Sequence, residues 1–480
     1  MPEILLTTLN ARYIHSAFGL RYLYANLGDM RQNAEIIEFG IHDRPVDIVE
    51  KLLDKNPSIV GFGVYIWNVV EISATVAALK AVAPETIVVL GGPEVSHPPD
   101  WPTVCDIADY VVTGAGEIAF RDLCRQLSTG HRPPEKIITG IDAPLDSLAS
   151  PYPFYTEEDI RNRIIYVEAS RGCPFKCEFC LSALDVTAKP FALNRFLEAV
   201  DRLYRRGARR FKFIDRTFNL KISVSVAILE FFAERITHDL FLHFEVVPDH
   251  LPEPLKQTIQ KFPPNTLQFE VGVQTFDTTV QQLISRRQDN EKTEANLRWL
   301  REHSHVHIHA DLIFGLPGDT LANFAHSFDR LAALRPHEIQ LGILKRLRGA
   351  PINRHNDAFG MRYNPLPPYN ILSTDRITFS DMQRIGRFAR FWDMIGNSKR
   401  FEQTLPVLLA EQPFERFLLL SDTLYALHRS TWKIALRRLF ELLYQAMTTA
   451  LMIPKETALP VLKADYENSG EKGTPDFLKR

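Results

Sequence analysis

The chain has 480 residues, 45% of them hydrophobic and 24% charged, with a formal net charge of −2. At roughly 150 residues per domain this length allows about three domains, and the composition is that of an ordinary globular protein. The near-neutral balance excludes a global basic field for nucleic acid, and no apolar run reaches the ~18 residues that a membrane span needs.

Residues 1 to about 128 alternate short apolar runs with helical patterns, as in a doubly wound, Rossmann-like parallel sheet. Strands are predicted at 3–8, 34–39, 58–64, 86–90 and 109–112, and helices at 19–27, 69–82 and 118–127. Ile59-Val60-Gly61-Phe62-Gly63-Val64 and Ile87-Val88-Val89-Leu90 are nearly all apolar, which a strand covered on both faces requires. Ligands of such sheets sit beyond the carboxyl ends of the strands. There the sequence places Asn10-Ala11-Arg12-Tyr13, Tyr65-Ile66-Trp67-Asn68, Gly91-Gly92-Pro93-Glu94 and Thr113-Gly114-Ala115-Gly116-Glu117. The glycines let backbone amides approach a ligand closely, although a glycine pair after a strand is also an ordinary tight turn. The opening Glu3-Ile4-Leu5-Leu6 has no secretory pattern. Cys105 and Cys124 read as isolated buried hydrophobes, and this cysteine usage fits a reducing cytoplasm.

From 129 to 160, Pro133-Pro134 and Pro151-Tyr152-Pro153 suit an extended linker. Next comes Arg171-Gly172-Cys173-Pro174-Phe175-Lys176-Cys177-Glu178-Phe179-Cys180. Three cysteines at C-x3-C-x2-C spacing let one loop offer three thiolates to an iron–sulfur site and leave one iron free. The other readings are a structural zinc site or three unrelated core cysteines, but zinc usually takes paired arms and no second arm is evident.

Residues 161–350 alternate strands with helices again, at 164–168, 210–214, 241–246, 266–273, 305–314 and 338–344. This suits a partial (β/α)6 barrel of the TIM type, with its site at the strand carboxyl ends. Strand parity puts Gln268, Glu270, Gly272 and Gln274 on one face, toward the cavity, and likewise His305, His307, His309, Asp311 and Ile313. A mononuclear metal site from those histidines is geometrically poor, since same-face neighbours lie ~6.6 Å apart. His305 and His307 are better read as polar barrel filling. After a proline-rich lead, 351–465 form a helical domain, with helices at 379–395, 400–411, 413–429 and 432–452. The polar stretch 466–480 is expected to be disordered.

The cysteine loop, directly after Ile164-Ile165-Tyr166-Val167 and with Phe179 before its last cysteine, resembles the signature of radical S-adenosylmethionine (SAM) enzymes. The resemblance implies a 4Fe–4S cluster on Cys173, Cys177 and Cys180, with SAM on the fourth iron. Reductive cleavage of SAM then yields a 5′-deoxyadenosyl radical. An external one-electron reductant of flavodoxin or ferredoxin type is implied as a partner. By the same resemblance Asp215 takes the place of the residue contacting the methionine amino group, and Glu245 is a SAM-contacting acid. Gln274 and Arg286 hold the SAM hydroxyls and carboxylate, Asp311 lies near the ribose, and Ile313 packs on adenine.

The strand-end loops, with Leu90-Gly91-Gly92-Pro93 and the run Asp109 to Glu117, resemble the cobalamin-binding domain of one large radical SAM branch. That likeness makes Asn10, Arg12, Tyr65, Trp67, Gly91, Gly92, Gly114, Gly116 and Glu117 candidate cobalamin contacts. No D-x-H-x-x-G hexapeptide occurs, and His15 does not match its spacing. The resemblance therefore implies a lower cobalt face without histidine, covered by Arg12, Tyr65 or Trp67. The C-terminal helices, with Asn397-Ser398-Lys399-Arg400-Phe401, resemble the domain of unknown function of an uncharacterised subfamily. The implied activity is cobalamin-dependent methylation of an unactivated carbon in a small-molecule or peptide substrate. The alternatives are a cobalamin-dependent ring rearrangement or cyclisation, or a non-catalytic cluster or cobalamin sensor.

Overall fold

The computed structural model describes residues 3–479. They form two compact units. One comprises the chain up to Glu245 with Arg346–Pro351 and Pro365–Tyr369; the other comprises Val246–Lys345, Ile352–Asn364 and the rest from Asn370.

The first unit opens with a sheet of β1 (Ile4–Asn10), β2 (Ala34–Gly40), β3 (Ile59–Gly63), β4 (Ile87–Gly91), β5 (Tyr110–Thr113) and β6 (Ile137–Thr139). Their order is β2-β1-β3-β4-β5-β6, and all pairs are parallel. Every residue of β1 and β3 is buried. Helices cover both faces, so Leu5, Val60 and Val88 pack into one core and Ile4, Ile59 and Val89 into another. The covering helices include α1 (Phe18–Asn26), α2 (Pro45–Leu53), α3 (Val69–Val82), α4 (Val104–Ile107) and α5 (Gly116–Ser128). α2 starts on Pro45, whose missing N–H costs nothing at that position. The strand order reverses between β1 and β3, where doubly wound sheets open a crevice for ligands.

The expected linker does more than connect. Its segment Ile137–Thr139 is the sixth strand, and α6 (Glu157–Asn162) begins on a Thr156–Asp159 capping box. Beyond it lie β7 (Ile165–Val167) and a short antiparallel pair, β8 (Ser170–Arg171) with β9 (Lys189–Pro190), flanking the cysteine loop. β10 (Arg210–Phe213) then pairs in parallel with β7 and with β11 (Phe241–Val246).

The second unit holds β12 (Leu267–Gln274), β13 (His307–Phe314) and β14 (Glu338–Ile343), parallel and in that lateral order. Along β12 and β13 buried and half-buried residues alternate strictly. Gln268, Glu270, Gly272 and Gln274 share the half-buried face, as do His307, His309, Asp311 and Ile313, whereas His305 precedes the strand. The C-terminal helices are Phe379–Ile395, Thr404–Leu409, Pro413–His428, Leu436–Thr449 and Lys455–Asn468. An aromatic cluster locks the first of these to the rest, with Phe328 against Trp392 at 4.9 Å and Phe388 against Phe417 at 4.9 Å.

The tail corrects its expectation. Tyr466 and Asn468 end the last helix, and Phe477 is buried and stacks on Tyr444 at 4.9 Å. Two aromatic anchors suffice to order a polar stretch; Arg480 lies outside the described residues. No helix among the described residues is long and apolar enough to cross a membrane.

Candidate functional site

A cavity of about 820 Å³ opens within the first unit, at the carboxyl ends of β1, β3, β4 and β5. That is near the upper end for pockets enclosing a large organic ligand. Asn10, Tyr65, Trp67, Gly91, Gly92, Gly114, Gly116 and Glu117 all line it. Arg12 does not: its side chain is exposed, outside the cavity wall. Tyr65 and Trp67 stack in parallel, with centroids 4.4 Å apart at 6°. Gly92 sits at φ +110°, and a Cβ there would lie 2.5 Å from the Val64 carbonyl oxygen. The close turn that Gly92 permits keeps the rim open. Gly91, by contrast, has its nearest such neighbour at 3.7 Å.

The cavity also reaches residues that the sequence reading left aside: His15, Tyr166, Glu168, Arg171 and Ile214. His15 Nδ1 lies 2.7 Å from the Tyr166 hydroxyl, and burial, then Lys212 and Arg12, lower its pKa. Arg171 donates to Glu117 on α5 at 2.7 Å and to Glu168 directly after β7 at 2.7 Å. Its guanidinium lies 4.9 Å from the centre of the Tyr22 ring. An arginine two residues before a cysteine carries no period or spacing signal, so only the fold reveals this role.

The cysteine loop is held along its whole approach. Asp215 accepts from Ala169 N–H at 3.0 Å and from Ser170 Oγ at 2.6 Å. Burial lifts its carboxyl to about 6 against those hydrogen bonds. Asp215 is thus a buried brace beneath the loop, 3% exposed, rather than a residue standing in an open site. Its aspartate carboxyl is short enough to stay under the backbone that it caps. Gly172 lies at φ +92°, and a Cβ there would meet the Thr187 carbonyl oxygen at 2.0 Å. Cys173 N–H donates to Asp185 O at 3.2 Å, and Cys180 N–H to Cys177 O at 3.0 Å. Cys173 is buried and the other two half-buried. Burial raises the Cys173 thiol, and the nearby Cys180 and Cys177 add to the rise. Three neighbouring thiols on one loop are the donor set that a cluster bearing one open iron takes. Among the described residues no group of three or more His, Cys, Asp or Glu is arranged around a single metal ion; a cubane instead puts each thiolate on its own iron. Glu245, in the same unit, pairs with Arg216 at 3.1 Å.

In the second unit, the register between β12 and β13 slips after Gly272, and Gln274 takes φ +69°. Its side chain folds over Gly272, where a Cβ would be 2.5 Å from the Gln274 amide nitrogen. Gln274 Oε1 is buried and makes no hydrogen bond. Such an atom wants a donor, and SAM hydroxyls would supply one. Arg286 donates to the Gly272 carbonyl and, at 2.7 Å, to Gln288 Oε1. Asp311 lies on the same face, 3.2 Å from His309 Nε2. Burial pulls the His309 imidazolium down. The Asp311 hydrogen bond and the charges of Asp311, Glu270 and Glu338 outweigh it and lift His309 to about 9. His307 pairs with Glu338 at 2.8 Å. Asp311 and Ile313 thus share the half-buried face with these charged residues.

Family profiles match three consecutive stretches: a B12 binding domain at 4–124, the radical SAM superfamily at 167–331, and a protein of unknown function (DUF4080) at 357–480. The chain joins a B12 binding domain to a radical SAM domain. Its domains make cobalamin, a 4Fe–4S cluster and SAM its cofactors. This radical SAM protein is 28% identical over 227 residues to an uncharacterised methyltransferase of Pyrococcus horikoshii, covering 42% of this chain and 49% of that protein. It is 23% identical over 353 residues to the cobalamin-dependent radical SAM methyltransferase TokK of Streptomyces tokunonensis, covering 65% of this chain and 51% of that one. The chain thus spans about half the length of the curated relatives it matches. In fold it resembles the radical SAM methyltransferase TsrM of Kitasatospora setae, with TM-score 0.60 and 17% identity over 76% of this chain and 79% of that one.

Proposed function

We propose that this protein is a cobalamin-dependent radical SAM methyltransferase that methylates an unactivated carbon of a small-molecule or peptide substrate, using an external one-electron reductant. One observation carries the reading. The cavity at the strand ends of the N-terminal sheet shares a wall with Tyr166, Glu168 and Arg171, the residues that lead into the cysteine loop. A cofactor in that cavity stands beside the loop that holds the cluster. The names of TokK and of the Pyrococcus horikoshii relative support methyl transfer.

In this reading residues 1–128 bind cobalamin, 161–350 form the radical SAM core and 351–465 a helical domain. Cys173, Cys177 and Cys180 hold the cluster. Gln274, Arg286, Asp311 and Ile313 hold SAM, Arg286 by the guanidinium fork that suits a carboxylate. Glu245 adds a carboxylate near the strand end, while Asp215 keeps the cysteine loop in place. The Tyr65–Trp67 stack and the glycine rim shape the cobalamin cavity. When bound, the cofactors supply a 5′-deoxyadenosyl radical and a methyl group, which a nucleophile-free carbon requires; the protein supplies position.

The test is an anaerobic single-turnover series with SAM, reductant and cobalamin against a cell metabolite extract. Each methylated product is expected with about one S-adenosylhomocysteine and one 5′-deoxyadenosine, one SAM serving each demand. Product with 5′-deoxyadenosine but without S-adenosylhomocysteine would replace methyl transfer by a rearrangement or cyclisation.

A further inference from the structure

Arg171 sits where three features of the first unit meet. Its guanidinium donates to Glu117, in the first turn of α5 and so part of the cobalamin domain. It also donates to Glu168, which directly follows β7. Both carboxylates are nearly sealed from solvent, at 10% and 5% side-chain exposure. A planar fork can satisfy two carboxylates in fixed directions at once, which a lysine ammonium cannot.

The backbone leading away from Arg171 is rigid at each step. Glu168 N–H donates to the Tyr152 hydroxyl at 3.2 Å. Ala169 and Ser170 are fixed by Asp215. Ser170 and Arg171 pair with Pro190 and Lys189. Gly172 packs on the Thr187 carbonyl so closely that no side chain fits, and Cys173 N–H is tied to Asp185 O. A displacement of the Arg171 head group therefore reaches Cys173 through Gly172 alone, which has little room to absorb it. At the other end, Glu117 lines the cavity beside Gly116 and Gly114. A ligand that presses on the start of α5 moves the partner of Arg171.

We infer that Arg171 is a positioning residue that couples the two cofactor sites. Through Glu117 and Glu168 it makes cobalamin affinity depend on the state of the cysteine loop, and the cluster's environment depend on cobalamin. The inference rests on the reading that cobalamin occupies this cavity. Such coupling is reciprocal, and typical allosteric couplings change affinity about 5- to 150-fold.

The test titrates hydroxocobalamin into cluster-free and cluster-reconstituted protein by absorbance, and records the reduced cluster by electron paramagnetic resonance with and without cobalamin. In the wild type, reconstitution is expected to tighten cobalamin binding by about fivefold or more, and cobalamin to shift the cluster spectrum. In Arg171→Lys the cluster still assembles on its three cysteines, but the affinity ratio falls to about one and the spectral shift disappears. The near-isosteric Glu117→Gln is expected to do the same, so the inference stays testable if the arginine variant misfolds. Combining Glu117→Gln with Arg171→Lys should add nothing further, the mark of one shared interaction. An unchanged ratio in both single variants, or a wild-type ratio of one, overturns the coupling while leaving the cobalamin site intact. A wild type that binds no cobalamin overturns the reading beneath it instead.

Discussion

The two parallel sheets of strands use the same hydrogen-bonding scheme and place chemistry in opposite ways. In β1 and β3 every residue is buried, because helices cover both faces. Only residues toward the carboxyl ends of these strands, such as Thr8 and Asn10 of β1, reach the cavity, so the N-terminal sheet acts through its strand ends and the loops beyond them. In β12 and β13 every second residue is half-buried, and those positions carry Glu270, Gln274, His309 and Asp311. Here the strand itself offers functional groups along its length. A strand buried along its whole length thus points to its ends for function, and an alternating one points to its polar face.

The largest expected effect separates loop cysteines from core cysteines. Cys177→Ala should abolish both cluster assembly and 5′-deoxyadenosine formation, whereas Cys105→Ala and Cys124→Ala retain both. The latter two thiols lie wholly within the sheet's packing, and burial pushes that of Cys105 up to about 12. Wild-type cluster absorbance in Cys177→Ala would break the comparison at its strongest point.

Next in size are the two faces of β12. Phe269, 1% exposed, belongs to the packed face. Phe269→Ala should cost about 3–5 kcal/mol of stability, read by denaturant melts. Gln274→Ala should leave stability nearly unchanged and weaken SAM binding about tenfold, the loss of roughly one hydrogen bond to a buried acceptor. Equal effects of the two on stability would mean that the faces are not functionally distinct.

Neighbouring glycines sharpen the claim about strand ends. Gly92→Ala forces a side chain into the Val64 carbonyl at positive φ and should weaken cobalamin binding about tenfold, consistent with ~1–3 kcal/mol of local strain. Gly91→Ala meets no protein atom closer than 3.7 Å and should cost clearly less affinity than Gly92→Ala. Calorimetric titration of both variants with hydroxocobalamin distinguishes them.

The smallest effect is a pH dependence. His309 is raised from 6.5 to about 9, after burial is outweighed by Asp311, Glu270 and Glu338. A raised folded-state pKa means that the stabilisation is complete below about pH 6.5 and fades as pH rises through about 9. Wild-type denaturation midpoints should therefore fall between pH 7 and 9.5 more steeply than those of His309→Gln. Parallel slopes would remove His309 from the charged face.

Much of this was legible in residue order. The apolar runs located β1 to β5, because strands buried on both faces must be apolar, and alternation identified the polar face of β12 and β13. Three cysteines in one loop announced themselves by spacing. What stayed hidden depends on tertiary partners. Ile137–Thr139 is too short and too exposed to read as a strand until β5 lies beside it. That Asp215 accepts from Ala169 and Ser170 carries no signal in residue order, since these partners lie 46 and 45 positions away. Arg12 sat in the right loop but turned outward, since loop position fixes proximity and not direction. The tail looked disordered because two aromatic anchors, Tyr466 and Phe477, are outnumbered by polar residues.

The claim beneath all of these is that the cavity at the reversal of the N-terminal sheet holds cobalamin without a histidine ligand. Electron paramagnetic resonance of cobalamin in its Co(II) state, bound to wild type and to His15→Ala, tests it most directly. His15 is the imidazole on the cavity wall, oriented by the Tyr166 hydroxyl. The account predicts spectra without superhyperfine splitting from an axial nitrogen, identical in both proteins. A nitrogen splitting in the wild type that vanishes in His15→Ala, or no bound cobalamin at all, would contradict it.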